Sequence, residues 1–150
     1  MVYFFYGTLC DADVQRLILG YRPGPRQLSP ASLPGFRRKR ARGRSYPVLL
    51  RDSGGRVDGL LFTPARPGDA RRLAAYEGPE YVTRQLPVCR GAGPARDRTA
   101  GLGRARVFLP AGPALPAGLD DWQLPGWRRR HKTAFLQSLL LQGPMPCANR

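Results

Sequence analysis

The chain has 150 residues, of which 42% are apolar, and a formal net charge of +15 at pH 7. This length suits one domain with a buried core, and no apolar run approaches the roughly 20 residues of a membrane-spanning helix. The N-terminus has neither the basic segment nor the long apolar stretch of a signal peptide, so we expect a cytoplasmic protein without membrane association.

The cysteines and the single histidine do not form a metal-binding pattern. Cys10, Cys89 and Cys147 are widely spaced, and His131 alone cannot complete a Cys/His zinc cluster. We therefore expect reduced thiols, no metal and no cofactor.

The positive charge comes from arginine, since only Lys39 and Lys132 among the 25 basic residues are lysines. Two clusters stand out, at residues 37–40 and 128–130, but neither has the interleaved aromatic residues of a nucleic-acid-binding module. We expect salt-sensitive adsorption to polyanions and no specific nucleic-acid partner.

The first half of the chain predicts short strands around one helix. Residues 2–6 are a β-branched and aromatic run typical of a buried strand. Asp11 can cap a following helix that ends at Gly20. The apolar side chains predicted on the buried face of this helix are Val14, Leu17 and Ile18.

Three strands are predicted next. One lies near residues 31–42, and residues 46–50 and 57–63 indicate two more, joined by a turn at Gly54-Gly55. Asp69 is then predicted to cap a second short helix. The inner residues of that helix and the glycine that stops it are predicted to be Leu73, Tyr76 and Gly78.

The rest of the chain predicts two strands and a C-terminal helix. The strands are residues 81–89 and 104–109, separated by a flexible loop at 90–103, and the helix covers 127–141. This pattern indicates an α+β fold, for which a small mixed barrel is one arrangement. We expect a single domain over residues 1–142 and a loose tail at 143–150.

The candidate chemistry is found by elimination. The sequence has no GxSxG, GxGxxG, Walker or HExxH motif, and His131 lies where a packing or surface role is expected. The only two glutamates, Glu77 and Glu80, fall in one hexapeptide. Glu77 would end the second helix, where the helix dipole and nearby aromatic rings raise a carboxyl pKa, as a general acid/base requires. A solvated glutamate at a helix end fits the same spacing.

The segment Tyr6-Gly7-Thr8-Leu9 follows the first predicted strand. A glycine at this point lets the backbone approach a ligand, and the next amides can point at an anion. An ordinary strand-to-helix turn is the alternative.

Together these residues resemble the γ-glutamylcyclotransferase-like superfamily, which includes γ-glutamylamine cyclotransferases and AIG2-like proteins. Residues 6–9 match its YGTL hallmark, and residues 73–81 match its segment L-x-x-[FY]-E-G-x-x-Y. Weaker matches follow in the family's order at Tyr46-Pro47, residues 57–59 and residues 106–109.

The resemblance implies a compact mixed β-barrel flanked by short helices, with a C-terminal helix. It implies that Glu77 is the acid/base of an enzyme that releases 5-oxoproline and a free amine from a γ-glutamyl amide. The residues implied to bind this small-molecule substrate are Tyr6, Gly7, Thr8, Leu9 and Tyr81. Two alternatives stay open: a ligand-binding module of the same fold without turnover, and a basic nucleic-acid-associated protein.

Overall fold

The computed structural model describes residues 1–91, 101–112 and 116–142. The strands are β1 Tyr3–Phe5, β2 Leu28–Ala41, β3 Pro47–Phe62, β4 Tyr81–Arg90, β5 Leu102–Pro110 and β6 Ala117–Asp121. The helices are α1 Ala12–Leu19, α2 Asp69–Glu77, α3 Leu124–Arg130 and α4 Lys132–Leu141, and a 3-10 turn covers Thr8–Cys10. The predicted tail at 143–150 and most of the predicted loop at 90–103 lie outside the described residues.

Five strands close into a barrel. Their order is β3-β1-β5-β4-β2, and pairing of β2 with β3 completes the ring, while β6 adds to the outside of β2. β1 and β5 are parallel, and the other pairs are antiparallel. The α+β fold, the small mixed barrel with flanking short helices and the C-terminal helical segment are therefore confirmed.

Two apolar clusters sit on opposite faces of β1. Side chains of a strand alternate between its faces. Phe4 accordingly packs in the cluster that fills the barrel, with Leu33 and Val107. Tyr3 and Phe5 face the helices. Because both faces are buried, the strand is continuously apolar, as the sequence indicated.

Close packing of β1 on β3 requires a glycine. β1 pairs with β3 so that Phe5 lies opposite Leu60. A Cβ atom on the neighbouring Gly59 would lie 2.1 Å from the Phe5 carbonyl oxygen, so no other residue fits there without moving the backbone. This contact holds β1 and the segment that follows it against β3.

The predicted hairpin turn at Gly54-Gly55 is wrong, because β3 is one strand from Pro47 to Phe62. Pro34 on β2 pairs with Arg56, whereas Phe36 pairs with Arg51. The residues between them, including both glycines, are therefore extra residues in a bulge. Both halves of β3 pair with the same long neighbour, so the chain has no reason to reverse at the bulge.

The predictions for α1 and α2 each need one correction. Leu17 of α1 is exposed, since the buried face is formed by Val14, Ile18 and Leu19. Asp69 begins α2, but its carboxylate accepts bonds from the amides of the preceding turn and from a tyrosine hydroxyl, not from the helix.

The C-terminal segment also differs from its prediction. The helix expected over 127–141 is two helices, because the backbone at His131 leaves the helical region with φ −127°. The break lets Phe135 of α4 pack edge-on against Trp127 of α3, with ring centroids 5.4 Å apart. β6 lies in a Pro- and Gly-rich stretch between residues 109 and 127, where no strand was predicted. Among the described residues, no helix has the length and apolar character needed to cross a membrane.

The buried side chain of Asp11 ties α1 to the C-terminal helices. One carboxylate oxygen accepts hydrogen bonds from the amides of Asp13 and Val14, which caps α1 as predicted. The other lies 2.8 Å from Arg128 Nε and 3.0 Å from Lys132 Nζ. Burial acts to raise the pKa of Asp11, but the bonds from Arg128, Lys132 and the Val14 amide outweigh it and lower the pKa.

Asp11→Ala is expected to lower the free energy of unfolding by about 2 kcal/mol at pH 7, because it removes a helix cap and the shared partner of two cations. The folded-state pKa of Asp11 is depressed, so its contribution is present above the unfolded pKa and is lost as pH falls through the folded pKa. Urea unfolding at pH 7 and pH 2 measures both effects. Asp13→Ala is the control, since that carboxylate also meets Lys132 but is 49% exposed. Equal costs for the two variants at pH 7 would contradict this assignment.

Candidate active site

One cavity, of about 250 Å³, lies where the end of β1 meets the end of α2. It brings together all six residues that the sequence analysis singled out as site residues. Its predicted lining residues are Tyr6, Gly7, Thr8, Leu9, Glu77 and Tyr81. The remaining lining residues are Phe4, Phe5, Tyr46, Pro47, Tyr76, Glu80, Phe108 and Phe135.

The segment from Tyr6 to Leu9, which we call the YGTL loop, is held from two sides. The Tyr6 hydroxyl donates a hydrogen bond to the Phe108 carbonyl oxygen at 2.6 Å, on the neighbouring strand β5. The Thr8 hydroxyl and the Tyr76 hydroxyl are 2.5 Å apart, which joins the loop to α2. These bonds give the loop a fixed shape in the absence of a ligand.

Gly7 also fits its position for a steric reason. A Cβ atom there would lie 3.2 Å from the ring of Pro47, the first residue of β3. That distance is tight enough that the ring or the loop would have to shift. The absence of a side chain at Gly7 therefore lets the loop backbone pack against Pro47 without displacing it.

Glu77 is the last residue of α2, and its carboxyl group is buried in the cavity. Burial raises the pKa of this carboxyl from 4.5 to about 7, because a low-dielectric environment disfavours the anion. The direction is the one expected from sequence, and loss of water accounts for it. Near pH 7 the group can therefore both accept and return a proton.

Three phenols surround this carboxyl. Burial, and then the charge of Glu77, raises the pKa of Tyr6 and raises that of Tyr81 to about 12. Burial is also the main cause that raises the pKa of Tyr76, with Glu77 adding to it. All three hydroxyls are thus neutral at physiological pH. Tyr6 already donates to the Phe108 carbonyl and Tyr76 is bonded to Thr8, so Tyr81 is the one of the three best placed to donate a hydrogen bond to a ligand.

The two glutamates differ in their surroundings. The side chain of Glu80 is exposed at the rim of the cavity, whereas Glu77 is the one carried by the helix end and enclosed by aromatic rings. This difference favours Glu77 as the proton-transfer group.

Sequence reasoning missed two of the aromatic walls. Phe108 points into the cavity from β5, although the strand itself was predicted. Phe135 comes from α4, far along the chain, in a segment for which only a helix was predicted. Neither residue carries a local signal, because the packing of distant strands and helices decides which of them border the YGTL loop.

The titration of Glu77 can be observed directly, because the chain has only two glutamates. With side-chain carboxyl carbons labelled, we expect one NMR signal with a midpoint near pH 7, absent in Glu77→Gln. The folded pKa is raised above the unfolded 4.5, so the wild type loses stability relative to Glu77→Gln as pH rises from about 4.5 to about 7. The loss is at most about 3.5 kcal/mol, at about 1.4 kcal/mol for each pH unit between the two pKa values. A midpoint near 4.5 would show that the carboxyl is solvated.

Comparisons with known proteins agree with this architecture. AIG2-like protein A of Arabidopsis thaliana is 29% identical over 135 residues, which are 90% of this chain and 76% of that protein. A solution structure of an Arabidopsis thaliana protein has a TM-score of 0.63 at 27% identity, over 91% of this chain and 86% of that one. A solved gamma-glutamyl cyclotransferase shares the fold, with a TM-score of 0.53 at 15% identity over 74% of this chain and 66% of that one.

The family assignment rests on most of the chain. A family model described as "Gamma-glutamyl cyclotransferase, AIG2-like" matches residues 3–128, which include the YGTL loop and Glu77 and end within α3. The match confirms the resemblance that the YGTL and glutamate segments indicated. The chain therefore belongs to the gamma-glutamyl cyclotransferase, AIG2-like family.

Proposed function

We propose that this protein is an enzyme that converts a γ-glutamyl amide into 5-oxoproline and a free amine. The observation that carries the proposal is the position of the Glu77 carboxyl, which shares a partly dry cavity with the YGTL loop and has a pKa near 7. A titratable carboxyl group and the backbone of the YGTL loop thus line one enclosure, which supports a site that both binds a glutamyl group and transfers a proton.

The reaction needs little beyond geometry and proton transfer. The α-amine of the substrate attacks its own γ-carbonyl carbon, the new C–N bond closes a five-membered lactam, and the bond to the leaving amine breaks. Because the attack is intramolecular, the enzyme gains most by holding the chain folded with amine and carbonyl in contact. A cavity of about 250 Å³ limits the extended conformations that the γ-glutamyl group of the substrate can adopt.

Glu77 is proposed to move the proton in both steps. The α-amine is mostly protonated at neutral pH, so a base must take a proton before the nitrogen can attack, and the leaving amine needs a proton to depart. A carboxylate with a pKa near 7 takes one proton from the α-ammonium group and returns it to the leaving nitrogen. The attacking nitrogen loses a second proton as the lactam forms, and the freed amine takes up this proton and departs as an ammonium ion. No group outside the chain and the substrate is required for this sequence.

The YGTL loop is proposed to hold the glutamyl head. Backbone amides of Gly7 to Leu9 can bind the α-carboxylate, and amides aimed at the γ-carbonyl oxygen would stabilise the developing negative charge. The neutral hydroxyl of Tyr81 lines the same cavity and can donate a hydrogen bond to the head. The leaving amine would occupy the space that these groups leave.

Glu77→Gln is expected to lower kcat for 5-oxoproline release by about 1,000-fold, because it removes the only proposed acid/base. The wild-type kcat/KM should decrease as the pH falls below about 7, because protonation of Glu77 removes the base. Mass-spectrometric detection of 5-oxoproline from a panel of γ-glutamyl amides measures both. Glu80→Gln is the matched control, since this carboxylate lies at the exposed rim of the same cavity, and it should retain activity within about threefold. Wild-type-like turnover by Glu77→Gln would overturn the proposal, and binding of 5-oxoproline without turnover by the wild type would favour a binding module.

Breaking the bond between Thr8 and Tyr76 should weaken substrate binding. Thr8→Val and Tyr76→Phe are each expected to raise KM by about fivefold, because a hydrogen bond of about 1 kcal/mol fixes the loop. The double variant should behave like either single variant, since one interaction is lost in each case. Tyr3→Phe, outside the cavity, is the control. Additive effects of the two changes on KM would show that the bond does not hold the loop.

A further inference from the structure

Arg38 of β2 joins three separate parts of the chain. Its Nη1 donates a hydrogen bond to the Tyr6 carbonyl oxygen at 2.8 Å and to that of Asp58 at 3.2 Å. Its Nε donates to the Trp122 carbonyl oxygen at 2.9 Å, and its guanidinium lies over the Trp122 ring, 5.0 Å from the centroid. The indole nitrogen of Trp122 is in turn bonded to the Ser45 carbonyl oxygen at 2.8 Å. The Arg38 side chain is therefore held by Asp58 and Trp122 as well as by its bond to the YGTL loop.

The contacts of Arg38 differ from those of its neighbours in the basic cluster. Arg37, Lys39 and Arg40 each have a carboxylate within 4 Å, whereas no carboxylate among the described residues lies that close to Arg38. All the acceptors that the structure gives Arg38 are backbone carbonyls. A guanidinium presents donors in a rigid planar fork, which suits it to fixing several carbonyls at once.

Arg38 acts on the loop from the side away from the site. It borders a separate cavity of about 530 Å³ with Cys10 and Gln123, and it is not among the residues that line the candidate active site. In a trans peptide, the carbonyl of one residue and the amide of the next point in opposite directions. A bond that holds the Tyr6 carbonyl on the Arg38 side therefore turns the Gly7 amide towards the opposite side, where Gly7 lines the candidate site.

We infer that Arg38 is a positioning residue that orients the Gly7 amide for the glutamyl head by holding the Tyr6 carbonyl from outside the cavity. The inference rests on the proposed function, but the orientation of the amide can be tested apart from turnover. It also gives this arginine a specific role within a cluster whose sequence indicates only positive charge.

The test compares Arg38→Met and Arg38→Lys with Arg37→Met. Arg37 is the adjacent residue on the opposite face of β2, with a 55% exposed side chain. We expect Arg38→Met to shift the NMR amide signal of Gly7 and to raise KM for the γ-glutamyl amide at least tenfold, with kcat/KM lowered about 100-fold. The midpoint of the pH profile should stay near 7, since burial alone sets the pKa of Glu77. Arg38→Lys keeps the charge without the planar fork, so its KM and its Gly7 signal should lie between those of the wild type and Arg38→Met. If Arg38→Met does not fold, Arg38→Lys replaces it in the comparison.

The outcomes separate this inference from the proposed function. The Arg38 variants could instead keep the wild-type KM and Gly7 signal and lose kcat only in proportion to the fraction of protein that is unfolded. That result would overturn the positioning role and show that Arg38 is a structural residue. Equal Gly7 signals in the Arg38 variants and in Arg37→Met would do the same. If the wild type turns over no γ-glutamyl amide, the proposed function fails, and the Gly7 signal together with the affinity for 5-oxoproline as probe still decides whether Arg38 orients the loop.

Discussion

Removal of one carboxyl group from water is the physical constraint on which the proposed chemistry depends. Glu77 ends a helix against aromatic rings, and burial alone brings its pKa to about 7. This costs folding free energy, because the ionised form would be more stable in water. The closed barrel offsets that cost with its apolar clusters, and it fixes β1 between β3 and β5, so that the YGTL loop meets the helix end.

Three different kinds of contact anchor the YGTL loop and the helix that follows it. Arg38 holds the Tyr6 carbonyl, the Tyr76 hydroxyl meets the Thr8 hydroxyl, and Asp11 fixes the following helix to α3 and α4. A loop with three anchors loses little conformational freedom when a ligand binds. The connection between β1 and α1 is therefore held in one position, as the proposed substrate binding requires.

The sequence predicted the elements whose signals are local. Residues 2–6, the Asp11 cap and the strand after Glu77 follow from apolar pattern and capping chemistry, and the YGTL and glutamate segments identified the family. What it could not predict depends on distant partners. The Gly54-Gly55 pair signals a turn unless the long neighbour β2 is known, and Phe135 lines the cavity only because α3 breaks at His131. The cluster at 37–40 indicated a charged surface, because the carbonyls that Arg38 binds are brought to it only by folding.

The position of Phe135 has a consequence for how the cavity can change among members of this family. The groups proposed for head binding and proton transfer lie between residues 6 and 81, whereas this aromatic wall is carried by α4, outside the barrel. A wall on a helix outside the barrel can be substituted during evolution without disturbing the strands. The half of the site proposed for lactam formation would then be inherited intact, while acceptance of the departing amine changes with the side chain that α4 presents.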